Sequence, residues 1–256
     1  MSSPDEKAWF ASPLGQYLLQ REQAYHDQVV ADIFGFNALQ LGMLEQDLLR
    51  ASRIPYRFRA GLAEGVAMRT DAAQLPLASQ SIDLVLLPHV LEFSDQAHQI
   101  LREAERVLMP EGQIVISGYN PFSLWGLRRS LSYNDNRAYP WTGRFIGLAR
   151  IKDWLALLGF EVVGGRMCCY EPPLRNEKWL RKFQFMEAAG DRWWALAGGV
   201  YFIQAKKRVH GMRLILPSWH EARAARKGLA PAAQKLLNHA VAADGALSST
   251  ATDNGA

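Results

Sequence analysis

The sequence predicts an α/β fold: an open, mostly parallel sheet with helices on both faces and an antiparallel strand at the C-terminal end. Three observations carry that prediction. Densely apolar runs such as "LVLL" (84–87) and "ALQL" (38–41) recur between segments whose apolar residues follow helical spacing. Runs without polar alternation suit strands covered on both faces, and alternating strands and helices imply right-handed crossovers. The late run "GVYFIQAKKR" (199–208) alternates and follows a long excursion from "FEVVGGRMC" (160–168), which suits a C-terminal hairpin. Ligands of such a sheet bind at the carboxyl ends of its early strands.

Taken in order, residues 12–34 place Leu18, Leu19, Ala24, Val29, Val30 and Ile33 at helical spacing, with Ser12 as cap and Pro13 at the first position. "ALQLG" reads as a buried strand and "DLLRAS" (47–52) as a short helix. "YRFRAG" (56–61) and "GVAMRTD" (65–71) read as a second and third strand, and residues 84–87 as a fourth that Pro88 ends. The next helix is capped by Ser94, presents Ile100, Leu101, Ala104, Val107 and Leu108 on one face, and closes at Pro110. "GQIVISG" (112–118) is a fifth strand, and an aromatic loop precedes a helix over 149–158 that Gly159 stops. Residues 171–197 read as a partly helical insertion. The predicted organisation is therefore a helical cap over 1–35, an α/β domain over 36–208 and a basic, Ala-rich extension over 209–256 with a disordered end.

With 256 residues, 49% of them hydrophobic and 21% charged, the chain can bury a substantial core and global disorder is excluded. From Lys206 onward there are eight Lys/Arg and three Asp/Glu, against 21 and 22 before it. The body is near neutral, and the basic end is either a solvated extension or a surface for nucleic acid or an anionic membrane. Cys168 and Cys169 are the sole cysteines and are adjacent, so neither a zinc site nor a disulfide framework is signalled. No basic-then-apolar leader is present, and the longest apolar stretch (193–203) reaches about half a bilayer span. A cytoplasmic protein without a membrane segment or a metal is the expectation.

One stretch carries a family likeness. "TDAAQLPLASQSIDLVLLPHVLEFSDQAHQILREAERVLMPEGQIVISGYNP" contains acid-Ala-x-x-Leu-Pro, a polar hairpin, a buried strand, a helix of the form Leu-x-Glu-x-x-Arg-Val-Leu-x-Pro-x-Gly, and a strand. It resembles the core of class I S-adenosylmethionine-dependent methyltransferases of the type 11, small-molecule group. With "GYNPFSLWGLRR" and "DWLALLGFEV" it is similar to the uncharacterised bacterial YafS-like branch. The likeness covers residues 36–208. It implies a Rossmann-like fold, S-adenosylmethionine as cofactor and methyl transfer to a small-molecule acceptor.

The resemblance also implies site residues. Gly42 matches the first glycine of the cofactor loop, whereas Leu44 and Gln46 stand where further glycines usually do, and Gln40 replaces an acid at the strand end. A left-handed conformation forced on Leu44 or Gln46 would cost about 1–2 kcal/mol. Alternatively the loop takes another path, with Gln40 or Gln46 bonding the cofactor's amino-acid end. No acid ends the second strand; Glu64 is the candidate for the ribose. Asp71, followed by Ala72, is placed to accept from the adenine amino group, or else to cap a turn. His89 follows the fourth strand, where a neutral imidazole takes a proton from the acceptor, or else bonds backbone; Glu92 is a similar candidate. Asp83 anchors its strand. Tyr119, Asn120, Phe122 and Trp125 are expected around the acceptor pocket, with Arg128 and Arg129 facing an acidic substrate and Tyr17 or Tyr25 pointing inward from the first helix. "YNPF" follows the fifth strand, not the fourth, so a nucleic-acid amino-methyltransferase motif is coincidental. Two other readings stay open: a non-catalytic binding or scaffold protein with a degenerate loop, and a nucleic-acid-associated methyltransferase. Oligomeric state is not encoded in any pattern.

Overall fold

The computed structural model describes residues 4–63, 65–131, 138–173, 186–187, 190, 192 and 196–208. These belong to the first of two compact units, Met1–Val209; the second, His210–Ala256, lies outside the described residues, as do Glu64 and most of the 171–197 insertion.

A seven-stranded sheet forms the centre among the described residues. Strands β1 (Asn37–Leu41), β2 (Tyr56–Gly61), β3 (Met68–Arg69), β4 (Ile82–Pro88) and β5 (Leu108–Tyr119) are joined in parallel. Strands β6 (Phe160–Cys168) and β7 (Val200–Lys207) complete it, with β7 inserted antiparallel between β5 and β6. The order is β3-β2-β1-β4-β5-β7-β6. The predicted parallel sheet and C-terminal antiparallel pair are both present.

Strand periodicity divides the core into two layers. Leu39, Leu41, Val85, Leu87, Ile114 and Ile116 face helices α3 (Ala97–Val107) and α5 (Leu148–Leu157). Ala38, Leu84, Leu86 and Val115 face α1 (Pro4–Phe10), α2 (Pro13–Ala31) and α4 (Leu124–Leu131). Burial on both faces is why β1 and β4 read as continuous apolar runs. Helix α2 is anchored by Tyr25, whose ring stacks on Phe202 of β7 at 4.0 Å. Its start follows the expected cap: the Ser12 hydroxyl accepts from Gly15 N–H at 3.2 Å and donates to Trp9 C=O at 2.6 Å, with Pro13 next.

Local departures have physical causes. Residues 47–52 form turns, not a helix; the Leu48 and Leu49 N–H groups donate to the Gln40 and Asp47 side chains, and both leucines are buried. Helix α3 begins at Ala97 and not after Ser94, whose hydroxyl instead closes a tight turn onto Gln96 N–H. Strand β5 starts at Leu108, running through Pro110, with a register shift opposite Ile82 and Leu84 and Glu111 at φ 65°. The third strand shrinks to Met68–Arg69. Helix α4 occupies the predicted aromatic loop.

Replacing Ser12 by Ala removes the α2 cap. The expected loss is about 1 kcal/mol of unfolding free energy, read as a lowered urea midpoint at unchanged m-value.

Candidate active site

Strand order reverses between β1 and β4, and there the carboxyl ends of β1, β2 and β4 open a cavity of about 580 Å³. Gly42, Met43 and Leu44 line it from the loop after β1, Gly61 and Leu62 from the end of β2, and Asp71 and Ala72 after β3. Pro88, His89 and Val90 come from the end of β4, and Glu6, Phe93, Tyr139 and Thr142 also line it.

The loop after β1 keeps its shape without a row of glycines. Gln40, fully buried, donates to the carbonyls of Gly42 (3.1 Å), Met43 (3.2 Å) and Gln46 (2.9 Å) and accepts from Leu48 N–H at 3.1 Å. Arg59 donates to Leu44 C=O at 2.6 Å. Gln40 therefore shapes the loop and is not among the lining side chains, and Gln46 faces the groove beside α2. Positive φ falls on Gly42 (91°) and Met43 (44°), not on Leu44 or Gln46, so the strain sits one residue earlier than expected. Gly42 is required by the protein's own packing: a Cβ there would lie 2.5 Å from Val90 Cγ2 and 2.6 Å from Pro88 C=O. The exposed Asp71 uses Oδ1 to accept from Ala73 N–H at 2.9 Å, which orients the carboxylate at the rim.

His89 occupies the cavity wall with φ 50° and its ring stacked on Tyr119 at 4.0 Å. Its Nε2 meets Glu22 Oε1 of α2, and its Nδ1 lies 3.3 Å from Glu92 Oε1. Glu92 Oε1 also accepts from Tyr119 N–H at 2.7 Å. Burial opposes protonation of His89, but the Glu22 charge and hydrogen bond, aided by Glu92, push its pKa up to about 10. Both ring nitrogens face carboxylates, which favours the charged ring and leaves neither nitrogen open toward the cavity for the proton-accepting role expected from the sequence. One turn along α2, His26 is buried with both nitrogens unpartnered, and burial, despite Glu22, lowers its pKa to about 4. Glu22 Oε2, Glu92 Oε2 and Ser117 Oγ are likewise buried without partners.

The remaining candidates sit elsewhere. Asn120 is buried, donating to Leu196 C=O (2.9 Å) and Gly198 C=O (3.0 Å) and accepting from Phe122 N–H, so it shapes the turn after β5. Phe122 is 81% exposed on a separate apolar surface. Tyr17 donates to Glu187 at 2.9 Å, and Tyr119 lies behind His89 rather than on the cavity. Trp125 is buried and donates to Glu171 C=O at 3.1 Å. Arg128 covers the Trp141 ring at 4.7 Å and donates to Pro173 C=O; Arg129 covers Phe145 at 5.2 Å and donates to Trp141 C=O at 3.1 Å. Both arginines hold the aromatic loop and line no part of the cavity. Asp83 accepts from Phe36 and Asn37 N–H at 2.8 and 2.9 Å, anchoring β1. Glu6, Glu22, Phe93, Tyr139 and Thr142 escaped the sequence reading. The available signal for Glu22 was its place, with His26 at i+4, on the same helical face as Leu18.

The resident cofactor of a methyltransferase fits this lining. Gly42 and Gly61 offer bare backbone, Leu44, Ala72 and Val90 offer apolar surface, and Asp71 offers a carboxylate at the rim. Among the described residues no cluster of metal-ligating side chains occurs, and no helix is long and apolar enough to cross a membrane.

The two histidines set opposite limbs of a pH profile. His89 has a raised folded pKa, so its contribution to stability is complete below about pH 6.5, its unfolded value, and is lost as pH rises through about 10. His26 has a lowered one, so its contribution is complete above about 6.5 and is lost as pH falls through about 4. Urea midpoints should therefore peak near neutrality. His26→Leu should flatten the acid limb alone. His89→Gln should remove the alkaline limb and cost about 3–5 kcal/mol, because two buried carboxylates lose their cation.

Comparison with known proteins agrees with the geometry. The methyltransferase-domain family matches residues 43–116. The uncharacterised protein YafS of Escherichia coli is 34% identical over 63% of this chain and 67% of its own length. Malonyl-[acyl-carrier protein] O-methyltransferase of Methylovorus sp. is 33% identical over 48% of this chain but only 40% of its own length. A solved S-adenosylmethionine-dependent methyltransferase from Archaeoglobus fulgidus superposes with a TM-score of 0.53 at 19% identity, over 75% of this chain and 94% of that one. The chain belongs to the class I S-adenosylmethionine-dependent methyltransferases, in the YafS-like group, with S-adenosylmethionine as its cofactor.

Proposed function

We propose that the protein binds S-adenosylmethionine in the cavity at the ends of β1, β2 and β4 and methylates a small-molecule acceptor. The observation that carries the reading is the cavity itself: despite its altered sequence, the loop after β1 leaves about 580 Å³ open beside two bare glycines and a rim carboxylate. That volume suits a ligand of nucleoside size with room beside it. When bound, the cofactor supplies a methyl group already activated on a sulfonium. The protein's part is alignment and exclusion of water. The Gly42–Leu44 backbone holds the amino-acid end, Asp71 accepts from the adenine amino group, and Leu44, Ala72 and Val90 provide apolar contact. Phe93 and Tyr139, stacked at 5.0 Å, add an aromatic wall to the same cavity as His89. His89, held between Glu22 and Glu92, acts here as a positioning residue beside this wall. The adjacent free thiols Cys168 and Cys169 accord with a reducing, cytoplasmic setting.

S-adenosylmethionine or S-adenosylhomocysteine at about a hundred times its dissociation constant should add about 2.7 kcal/mol to stability, seen as a rise in melting temperature. Asp71→Asn keeps the turn onto Ala73 while removing a carboxylate acceptor, and should weaken cofactor binding about tenfold by calorimetry. Absence of any thermal shift and any heat of binding in the parent chain would sink the proposal.

A further inference from the structure

Two further hollows adjoin the cofactor cavity and share walls with it in series. The first, about 260 Å³, lies between α1, the start of α2 and the loop after β1; Glu6 and Met43 line both it and the cofactor cavity. The second is an open groove along α2, and Ala11, Gln16, Leu19 and Gln46 line both it and the smaller hollow. The series therefore leads from the cofactor cavity, past Met43, to a groove lined from Pro13 to Asp27, about 21 Å of helix axis. Its character changes along the way. The middle hollow is walled by Phe10, Ala11, Leu19 and Met43, and the exposed charges beside them, Lys7 and Glu45, pair with each other at 2.9 Å. The outer groove is polar, carrying Gln20, Gln23 and the ion pair of Asp27 with Arg50.

Met43 stands at the junction. Its backbone is held at φ 44°, and its carbonyl accepts from the Gln40 amide at 3.2 Å and from Gln46 N–H at 2.9 Å. Its side chain is freer: an unbranched thioether with three rotatable bonds adapts to whatever packs against it. The facing wall is also tied, because Gln16 of α2 donates to Phe10 C=O at the end of α1 at 2.7 Å. Apolar side chains that face each other normally close until few gaps exceed a water molecule. Here tethered backbone on both sides keeps them apart.

We infer that the methyl acceptor is an amphiphile with an alkyl arm, its nucleophile beside the cofactor and its arm passing Met43 into the hollow between α1 and α2. The inference rests on the methyltransferase reading above and names its substrate class. An unbranched arm matches the order of the walls, apolar in the middle and polar beyond, and the groove along α2 takes whatever polar part follows the arm. Met43 is then a specificity-determining residue, since its side chain sets the width of the passage.

The experiment titrates 1-butanol, 1-hexanol and 1-octanol into the full chain saturated with S-adenosylhomocysteine, read by ligand-observed NMR. Each added methylene that enters the hollow should tighten binding about fourfold. Leu19 is half-buried and lines no part of the cofactor cavity. Leu19→Trp fills the hollow and should weaken 1-octanol about tenfold, while the dissociation constant for S-adenosylhomocysteine stays within twofold. Ala11→Leu, in the exposed turn between the two helices, should weaken it about threefold and serves as the test if the tryptophan disturbs folding. Affinity independent of chain length, no binding of 1-octanol to the S-adenosylhomocysteine complex, or unchanged 1-octanol affinity in the folded variants overturns the alkyl-arm assignment. Failure of S-adenosylhomocysteine to bind in the first step instead overturns the methyltransferase reading, so the two failures are distinct.

Discussion

Two carboxylates from separate parts of the chain, Glu22 on α2 and Glu92 after β4, converge on the His89 imidazolium, and all three are buried. Removing ions from water costs several kcal/mol apiece, so the arrangement persists only where hydrogen bonds and opposite charge offset that cost. Its effect is positional. The first ion pair ties the N-terminal helices onto the face of the sheet, and Glu92 ties the segment after β4 to β5 through Tyr119 N–H. The aromatic stack His89, Tyr119, Phe145 extends the same tie to the loop before α5. Helix α2, the β4 exit and β5 thus meet at one point beside the cavity.

The loop after β1 shows a different solution to a familiar requirement. Glycines let backbone approach a ligand closely because they have no Cβ and tolerate positive φ. Here Gly42 meets that need once, and the next left-handed position is held by Met43. What keeps Met43 there is the Gln40 amide, bonded at both ends to the loop it precedes. A strained non-glycine residue persists when its surroundings over-determine it, and one buried glutamine does so.

The sheet was legible because its signals are local and periodic. Buried runs such as those of β1 and β4 keep their apolar signature whatever packs on them; β7, expected to alternate, is instead buried on both faces because it sits between β5 and β6. The turns at 47–52 are built from helix-favouring residues, and the bond from Leu48 N–H to Gln40 on the preceding strand leaves no periodic trace in the sequence. The His89 wall of the cavity was the least legible part. Glu22 and His89 are 67 positions apart, and nothing in either segment announces the other. Asn120, Phe122 and Tyr17 drew attention as polar or aromatic residues near strand ends. Their side chains satisfy backbone, solvent and Glu187 respectively, a distinction that only three-dimensional placement makes.

The insertion of β7 between β5 and β6 has a consequence for biosynthesis. Among the described residues, strand β6 pairs only with β7, and β5 meets no other strand on that side. Until residues through Lys207 have left the ribosome, the nascent sheet therefore presents an open edge along β5, while β6 has no ladder at all. Exposed strand edges invite pairing with other chains. Completion of this fold is deferred to its last strand, and a chain interrupted upstream of Val200 carries an unsealed edge on which a chaperone, or another nascent copy, can act.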